Sequence, residues 1–252
     1  MTLKPTALIF AFLLTATLAT ASDFIFGDNF ELDFSLLFAD DFETGDTSAW
    51  SATIPINPRT PTGAAPLAVT MDAAIAGDFG LEVSINTGTA GHLVSNEPMD
   101  ETVYRVEFLF DPNTLELGEN EFLTVISGIQ DGIGQRLRVG FFGVDTSNDP
   151  ELSDIAVFAD ALDDMAVWRT NGLVLKPGTR QLTVELLNAS APGVNDGEFA
   201  LFVDSVEVSR LVMDNAASEI DQLRLGLSSD AVAGSGSFYI DNFRSFRSLR
   251  PQ

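Results

Sequence analysis

The chain has 252 residues, of which 37 are acidic and 13 basic, and its net charge at pH 7 is −24. A surface this negative repels the phosphates of nucleic acids and of anionic lipids, so the composition argues against both as partners. The absence of cysteine excludes disulfides and a cysteine-linked lipid anchor. The length suits one large all-β domain with a substantial core.

The first 21 residues have the three parts of a secretory signal peptide: a cation at Lys4, an apolar run from Ala7 to Leu18, and the ending Ala19-Thr20-Ala21. The apolar run is shorter than the roughly 20 residues that a membrane span needs. The pattern predicts cleavage after Ala21. We therefore expect a bacterial protein that is secreted or periplasmic and is not inserted in a membrane after cleavage.

A hexapeptide occurs twice near the N-terminus, as Phe26–Glu31 and, with small changes, as Phe38–Glu43. Only the second copy continues into Gly45-Asp-Thr-Ser-Ala-Trp50, so we expect it to be the first strand of the domain. This interpretation makes residues 22–37 an N-terminal extension. It gives the domain residues 38–247 and leaves residues 248–252 as a C-terminal tail.

Residues 51–78 differ in composition from the rest of the chain. Pro55, Pro58, Pro61 and Pro66 lie among threonine, alanine and glycine residues. Proline removes a backbone donor and interrupts regular structure, so this segment predicts a long surface loop between the first strand and the body of the domain.

Beyond the proline-rich segment, apolar and polar residues alternate in short runs that are separated by turn residues. A period of two with one polar face indicates antiparallel sheets, and many short strands predict an all-β, two-sheet β-sandwich of jelly-roll type. Residues 155–167 fit a strand, loop and strand as well as a helix. The predicted strands are Gly80–Ile85, Val103–Phe110, Phe122–Ile126, Arg136–Phe142, Gln181–Leu186, Phe199–Val203, Val206–Val208, Leu223–Leu227 and Phe238–Phe243.

Three stretches, in order, resemble the concanavalin A-like lectin and glucanase superfamily, which includes laminin-G-like modules. Asp40–Trp50 is similar to the opening acidic strand, Asn195–Val208 to a hairpin with a Val-Asp-Gly turn, and Phe238–Phe246 to the closing strand. Ser205 stands where that turn usually has glycine. The resemblance implies a jelly roll in which the first and last strands are neighbours and commonly hold a structural calcium ion.

The same resemblance implies a set of calcium ligands. It transfers the acidic side chains to Asp41, Glu43 and Asp241, and a backbone carbonyl ligand to Gly80. Calcium binds six to eight hard oxygen ligands, which carboxylates and carbonyls supply. The alternative is that these acids lie at a sheet edge or cap turns.

Catalytic patterns are absent or incomplete. Family-16 glucanases carry Glu-x-Asp-x-x-Glu on one strand, and the nearest match, Glu219-Ile-Asp-Gln-Leu-Arg224, ends in arginine and lies close to the C-terminus. His92 is the only histidine, and no Gly-x-Ser-x-Gly elbow occurs. These observations argue against an enzyme, although a polysaccharide-degrading enzyme with non-standard catalytic residues stays open as a third hypothesis.

Glycan-binding sandwiches combine an aromatic ring with polar side chains that bind hydroxyl groups. The best candidate in this chain is Trp168 with Arg169 and Asn171, and Arg136 and Arg138 lie on the polar face of a predicted strand. We therefore predict a secreted, non-catalytic module that binds carbohydrate. The alternative is an extracellular or envelope structural protein that uses the same sandwich for protein contacts.

Overall fold

The computed structural model describes residues 35–56, 66–85, 90–146, 153–227 and 234–250, without the side chains of residues 55 and 56. Within these ranges no helix is long and apolar enough to cross a membrane. The predicted signal peptide, the first hexapeptide and most of the predicted extension lie outside the described residues. The strands are β1 Leu36–Asp40, β2 Ala52–Ile56, β3 Leu67–Thr70, β4 Gly80–Ile85, β5 Ala90–Ser95, β6 Val103–Asp111, β7 Phe122–Gln130, β8 Gly134–Gly143, β9 Ile155–Leu162, β10 Trp168–Val174, β11 Arg180–Leu187, β12 Gly197–Val203, β13 Val206–Met213, β14 Gln222–Gly226 and β15 Gly236–Phe246.

The strands form two antiparallel sheets. Sheet one has the order β13-β12-β11-β6-β15-β4-β3, and β1 also pairs with β15. Sheet two has the order β10-β9-β8-β7-β14-β5-β2. The prediction of an all-β antiparallel sandwich is confirmed.

The last strand, β15, organises the centre of sheet one. On one edge it pairs with β4 along residues 236–240 and then with β1 along residues 243–246, while its other edge pairs with β6. Asp241 and Asn242 lie between the two pairings, and Asn242 has a positive φ of 48°. The first and last strands of the sandwich are therefore neighbours, as the resemblance implied.

Phenylalanine fills much of the space between the sheets. The rings of Phe110 in β6 and Phe141 in β8 stack with centroids 3.9 Å apart and so join the two sheets. Near β1, Trp50 packs against Phe38 and Phe243 with centroid distances of 4.6 and 5.3 Å. Aromatic side chains bury large apolar areas, so these contacts supply much of the hydrophobic stabilisation of the sandwich.

The prediction of one long loop over residues 51–78 is wrong in part, because β2 and β3 lie inside it. Each is an edge strand, β2 in sheet two and β3 in sheet one. Proline is tolerated at a sheet edge, where a missing donor costs no ladder bond, so Pro55 does not prevent β2 from pairing. Residues 57–65 lie outside the described residues.

Two further local predictions are refined. The first strand begins at Leu36, two residues before the predicted domain boundary, and residues 155–167 form β9 followed by a turn. The hairpin between β12 and β13 turns at Asp204 and Ser205, whose φ angles are 51° and 65°. Positive φ at both central residues is the signature of a type I′ turn, so serine replaces glycine without loss of the hairpin.

Candidate functional site

The outer face of sheet one is occupied by the chain's own C-terminal segment. The guanidinium of Arg250 lies 3.5 Å from the ring centroid of Phe202, and its backbone N–H donates to Glu185 Oε1 at 2.8 Å. On the same face Arg210 pairs with Glu198 and with Glu207. Aromatic and charged groups on this face therefore already have partners within the chain.

The outer face of sheet two carries a row of side chains that crosses five strands. In β8, Leu137 and Val139 are buried in the core, so Arg138 between them points away from it, while Arg136 lies at a register shift between β7 and β8. The strand registers place the residues of this row directly opposite one another. We call it the central row: Thr170 in β10, Asp160 in β9, Arg138 in β8, Ser127 in β7 and Arg224 in β14.

Arg138 is the centre of this face. Its Nε lies 2.5 Å from Asp160 Oδ2, and its guanidinium carbon lies 4.5 Å from the ring centroid of Trp168. The Asp160 side chain is 3% exposed, whereas that of Arg138 is 27% exposed. A buried carboxylate on one side and an indole on the other hold the guanidinium in one orientation, because both the ion pair and the cation–π contact favour it.

An aromatic strip lies beside the central row. The ring of Phe158 covers Gly140 so closely that a Cβ at that glycine would lie 2.7 Å from it. Phe122 and Phe142 have ring centroids 6.3 and 6.4 Å from Phe158, and Phe122 is 57% exposed. Apolar rings and charged groups thus share one sheet surface.

Two further arginines of sheet two bond to amide side chains. Arg136 Nε donates to Gln130 Oε1 at 2.6 Å, and Arg224 Nε donates to Gln222 Oε1 at 2.9 Å. Between them, Gln135 Nε2 donates to Ser127 Oγ at 2.7 Å. These bonds fix the side chains without neutralising the positive charge of either arginine.

His92 in β5 faces the same side as Arg224 but does not line an open cleft. Its side chain is buried, with 4% of its surface exposed. Burial lowers its pKa, and the charge of Arg224 lowers it further, so the imidazole is neutral at physiological pH.

The structure divides the five predicted ligand-binding residues into two groups. Trp168 and Arg138 share the outer face of sheet two, and Arg136 lies two residues before Arg138 in β8. Arg169 and Asn171 alternate to the other side of β10, because neighbouring strand residues point to opposite faces. Arg169 pairs with Asp163 at 2.7 Å, and the buried Asn171 donates to the Phe199 carbonyl and accepts from Ser209. Asn171 therefore ties the edge of sheet two to sheet one.

The sequence analysis did not identify Asp160, Phe158 or Arg224 as site residues. The alternation of β9 places Phe158 and Asp160 on one face. What the sequence lacks is the register that sets them beside Arg138 and Trp168, since β8, β9 and β10 pair across loops.

A separate cavity of about 490 Å³ lies among the loops at one end of the sandwich. Its lining includes Asp111, Glu116 and Asp154, and the described residues around it contribute neither a basic nor an aromatic side chain. The Asp111 carboxylate already accepts bonds from the Asn113 N–H at 2.8 Å and from Thr179 Oγ1 at 3.0 Å. This cavity lacks the combination of ring and polar groups that the outer face of sheet two has.

Two of the predicted calcium ligands, Asp241 and Glu43, bind the segment that precedes β4. Asp241 Oδ2 accepts the N–H groups of Ile75 and Ala76 at 3.0 and 2.8 Å, and its Oδ1 accepts that of Asn242. Burial raises the pKa of Asp241, and the nearby charge of Glu43 adds to this effect. The buried Asp241 carboxylate therefore holds residues 75–76 through their backbone amides.

Glu43 holds the next part of the same segment. Its carboxylate accepts the N–H groups of Asp78 and Phe79 at 2.9 to 3.1 Å, directly before Gly80 opens β4. Asp41 is exposed and accepts the N–H of Glu43 at 3.2 Å. Among the residues described, no three His, Cys, Asp or Glu side chains are grouped to hold a metal ion. Backbone amides are thus the partners of these carboxylates, and calcium binding stays a prediction.

No protein-family model and no curated protein matches the chain. Similar solved structures include the binding domain of Botulinum Neurotoxin DC in complex with SialylT, with a TM-score of 0.57, 7% identity, and coverage of 87% of this chain and 49% of that chain. The binding domain of Paraclostridial Mosquitocidal Protein 1 has a TM-score of 0.53, 7% identity, and coverage of 86% and 50%. The alginate lyase Aly36B has a TM-score of 0.45, 15% identity, and coverage of 70% and 84%. The chain spans about half the length of the first two structures, and this likeness shows a shared β-sandwich fold.

Proposed function

We propose that this chain is an exported, non-catalytic carbohydrate-binding module of the concanavalin A-like jelly-roll type, which binds glycan on the outer face of sheet two. The observation that carries the proposal is the arrangement of Trp168, Arg138 and Asp160. The fold alone does not assign a ligand, because very similar sandwiches serve unrelated functions. The proposal therefore rests on the side chains of this face.

A sugar ring has an apolar face of C–H groups and a rim of hydroxyl groups. An indole supplies a flat apolar surface for the first, and guanidinium and hydroxyl groups supply hydrogen bonds for the second. Trp168 is partly exposed next to Arg138, and Thr170 is exposed at the end of the central row. Because Asp160 already fixes Arg138, little side-chain entropy is lost when a ligand binds there.

The outer faces of the two sheets differ, and the difference bears on whether the chain is a binding module or a structural protein. Sheet one has the filled face, where Arg250 covers Phe202. Sheet two has rings and donors together on a face that the described C-terminal segment does not cross. This contrast favours ligand binding on sheet two.

A glycosidase is less well supported. Retaining and inverting enzymes both need two carboxyl groups flanking the scissile bond. The central row contains one, Asp160, and it is buried and paired with Arg138. The row therefore offers recognition groups without the paired acid and base.

A glycan array that carries neutral and anionic polysaccharides tests the proposed function. We expect the mature chain to bind at least one class, and Trp168→Ala to weaken that binding more than tenfold, which is typical when a central aromatic side chain is removed. Arg210→Ala, on the outer face of sheet one, is the matched control and should bind like the wild type. Failure of every glycan to bind, or equal binding by the wild type and Trp168→Ala, would contradict the proposal.

A further inference from the structure

Part of the positive charge of this protein is grouped on sheet two. The chain has a net charge of −24 and only 13 basic residues. Two of the arginines, Arg138 and Arg224, lie on the outer face of sheet two, where the central row contributes a single carboxylate, and Arg136 lies two residues before Arg138 in β8. A local positive surface in a chain that is otherwise strongly acidic indicates a specific anionic partner, because general solubility needs no such concentration.

Three arginines on the side of sheet one form ion pairs within the chain, whereas Arg244 in β15 forms none with the residues that the structure describes. Arg210 pairs with two glutamates, Arg250 with Glu185 and Arg180 with Asp204. On sheet two, by contrast, Arg136 and Arg224 bond to neutral glutamines, and neither forms an ion pair with any residue that the structure describes. No carboxylate that the structure describes binds either guanidinium directly, although Gln130, the partner of Arg136, also donates to Glu219.

The donors that remain suit an anion with two neighbouring oxygens. In both Arg136 and Arg224 the glutamine takes the Nε–H, which is one of five N–H donors on a guanidinium. The terminal nitrogens can therefore bind the two oxygens of a carboxylate or sulfate in parallel. An anion bound in this way would replace no existing ion pair.

The spacing indicates charges repeated along a chain. Arg138 and Arg224 both stand opposite Ser127, on the two strands that flank β7. Neighbouring strands lie about 4.8 Å apart, so the two backbone positions are separated by about 10 Å. Arg136 lies two residues along β8 from Arg138, a rise of about 7 Å. Groups spread over these distances match successive charged units of a polymer better than one small anion.

We propose that the glycan bound on this face is anionic, a polysaccharide whose sugars carry carboxylate or sulfate groups. This inference rests on the proposed function and narrows its ligand class. Arg136 and Arg224 bind the charged groups of the glycan, while Trp168, in contact with the Arg138 guanidinium, packs against a sugar ring. Binding then falls as salt rises, because screening weakens the attraction at exposed sites.

Titration calorimetry of the mature chain with four probes tests the inference. Oligogalacturonate carries carboxylates, dextran sulfate carries sulfates, dextran is neutral, and polyglutamate presents charge without sugar. We expect oligogalacturonate or dextran sulfate to bind at least tenfold more tightly than dextran and polyglutamate. We expect Arg224→Gln or Arg136→Gln to weaken that binding about tenfold each, since each removes one charge-assisted contact. Arg210→Gln, on sheet one, is the matched control.

The outcomes separate this inference from the proposed function. Tight binding of dextran that Arg224→Gln and Arg136→Gln leave unchanged would overturn the anionic ligand and keep the carbohydrate-binding module. Polyglutamate bound as tightly as the charged glycans would overturn recognition of an anionic sugar. If the array and all four probes show no glycan binding, both proposals fail. Melting curves of the arginine variants confirm that the fold is retained.

Discussion

Asp241→Ala is expected to lower the free energy of unfolding by about 3 kcal/mol, because it leaves three part-buried backbone N–H groups without their acceptor. The Asp241 carboxylate accepts all three, two from the segment that precedes β4 and one from Asn242. It also lies where β1 and β4 meet on one edge of β15, so the loss loosens the junction of the first and last strands. Urea unfolding followed by circular dichroism measures the change.

Asp41→Ala is the control for this experiment. Asp41 is exposed and accepts one bond, at 3.2 Å, from within its own turn, so its loss should cost less than 1 kcal/mol. Similar costs for the two variants would contradict the role assigned to Asp241.

The same variants test the calcium prediction separately. If calcium binds there, EDTA lowers the melting temperature of the wild-type chain and has no such effect on Asp241→Ala, because a ligand that binds only the folded state stabilises it. A wild-type melting temperature that EDTA leaves unchanged, over a range of added calcium, would refute the ion and leave the amide contacts as the explanation.

Gly140→Ala is expected to cost about 2 kcal/mol and to disturb the candidate binding face. A Cβ at this position would lie 2.0 Å from the Leu123 carbonyl oxygen and 2.7 Å from the Phe158 ring. The backbone of β7 cannot move away without losing ladder bonds, and the displaced ring would press on Arg138. The change in unfolding free energy and the loss of glycan binding should therefore occur together.

Gly172→Ala gives the matched comparison for Gly140. Gly172 also stands opposite Phe158, in β10, but the nearest atom to its added Cβ is the Val157 carbonyl oxygen at 3.3 Å. We expect an effect well under that of Gly140→Ala. Equal destabilisation by the two changes would mean that the close packing of the Phe158 ring on Gly140 does not determine the structure of this face.

The strand content could be predicted from the sequence because each sheet has one buried side. The alternation in β8, for example, already assigned Arg136 and Arg138 to a polar face. The same rule explains a failure: Arg169 and Asn171 were grouped with Trp168 because they are close in sequence, yet a period of two sends them to the opposite side. At β2 the proline content gave a wrong prediction. Pro55 indicated a loop, but a proline is tolerated in an edge strand.

What the sequence could not supply was the pairing of distant strands. Ser127 stands between Arg138 and Arg224 only because β7 pairs with β8 on one side and with β14 on the other. Ser127 lies 11 residues before Arg138 but 97 residues before Arg224, and no local pattern determines the second pairing. The candidate site is therefore a product of topology, built from residue types that are individually ordinary.

The chain's two tryptophans allow a direct test of the binding face. Trp50 is buried beside β1 with its Nε1–H bonded to Asp40, whereas Trp168 lies partly exposed on sheet two. In a ¹⁵N-labelled chain titrated with the charged glycan that binds, we expect the indole signal of Trp168, assigned by its absence in Trp168→Phe, to shift until saturation. The Trp50 signal should stay in place. A shift of the Trp50 signal with the Trp168 signal unchanged would place the ligand elsewhere and contradict the account.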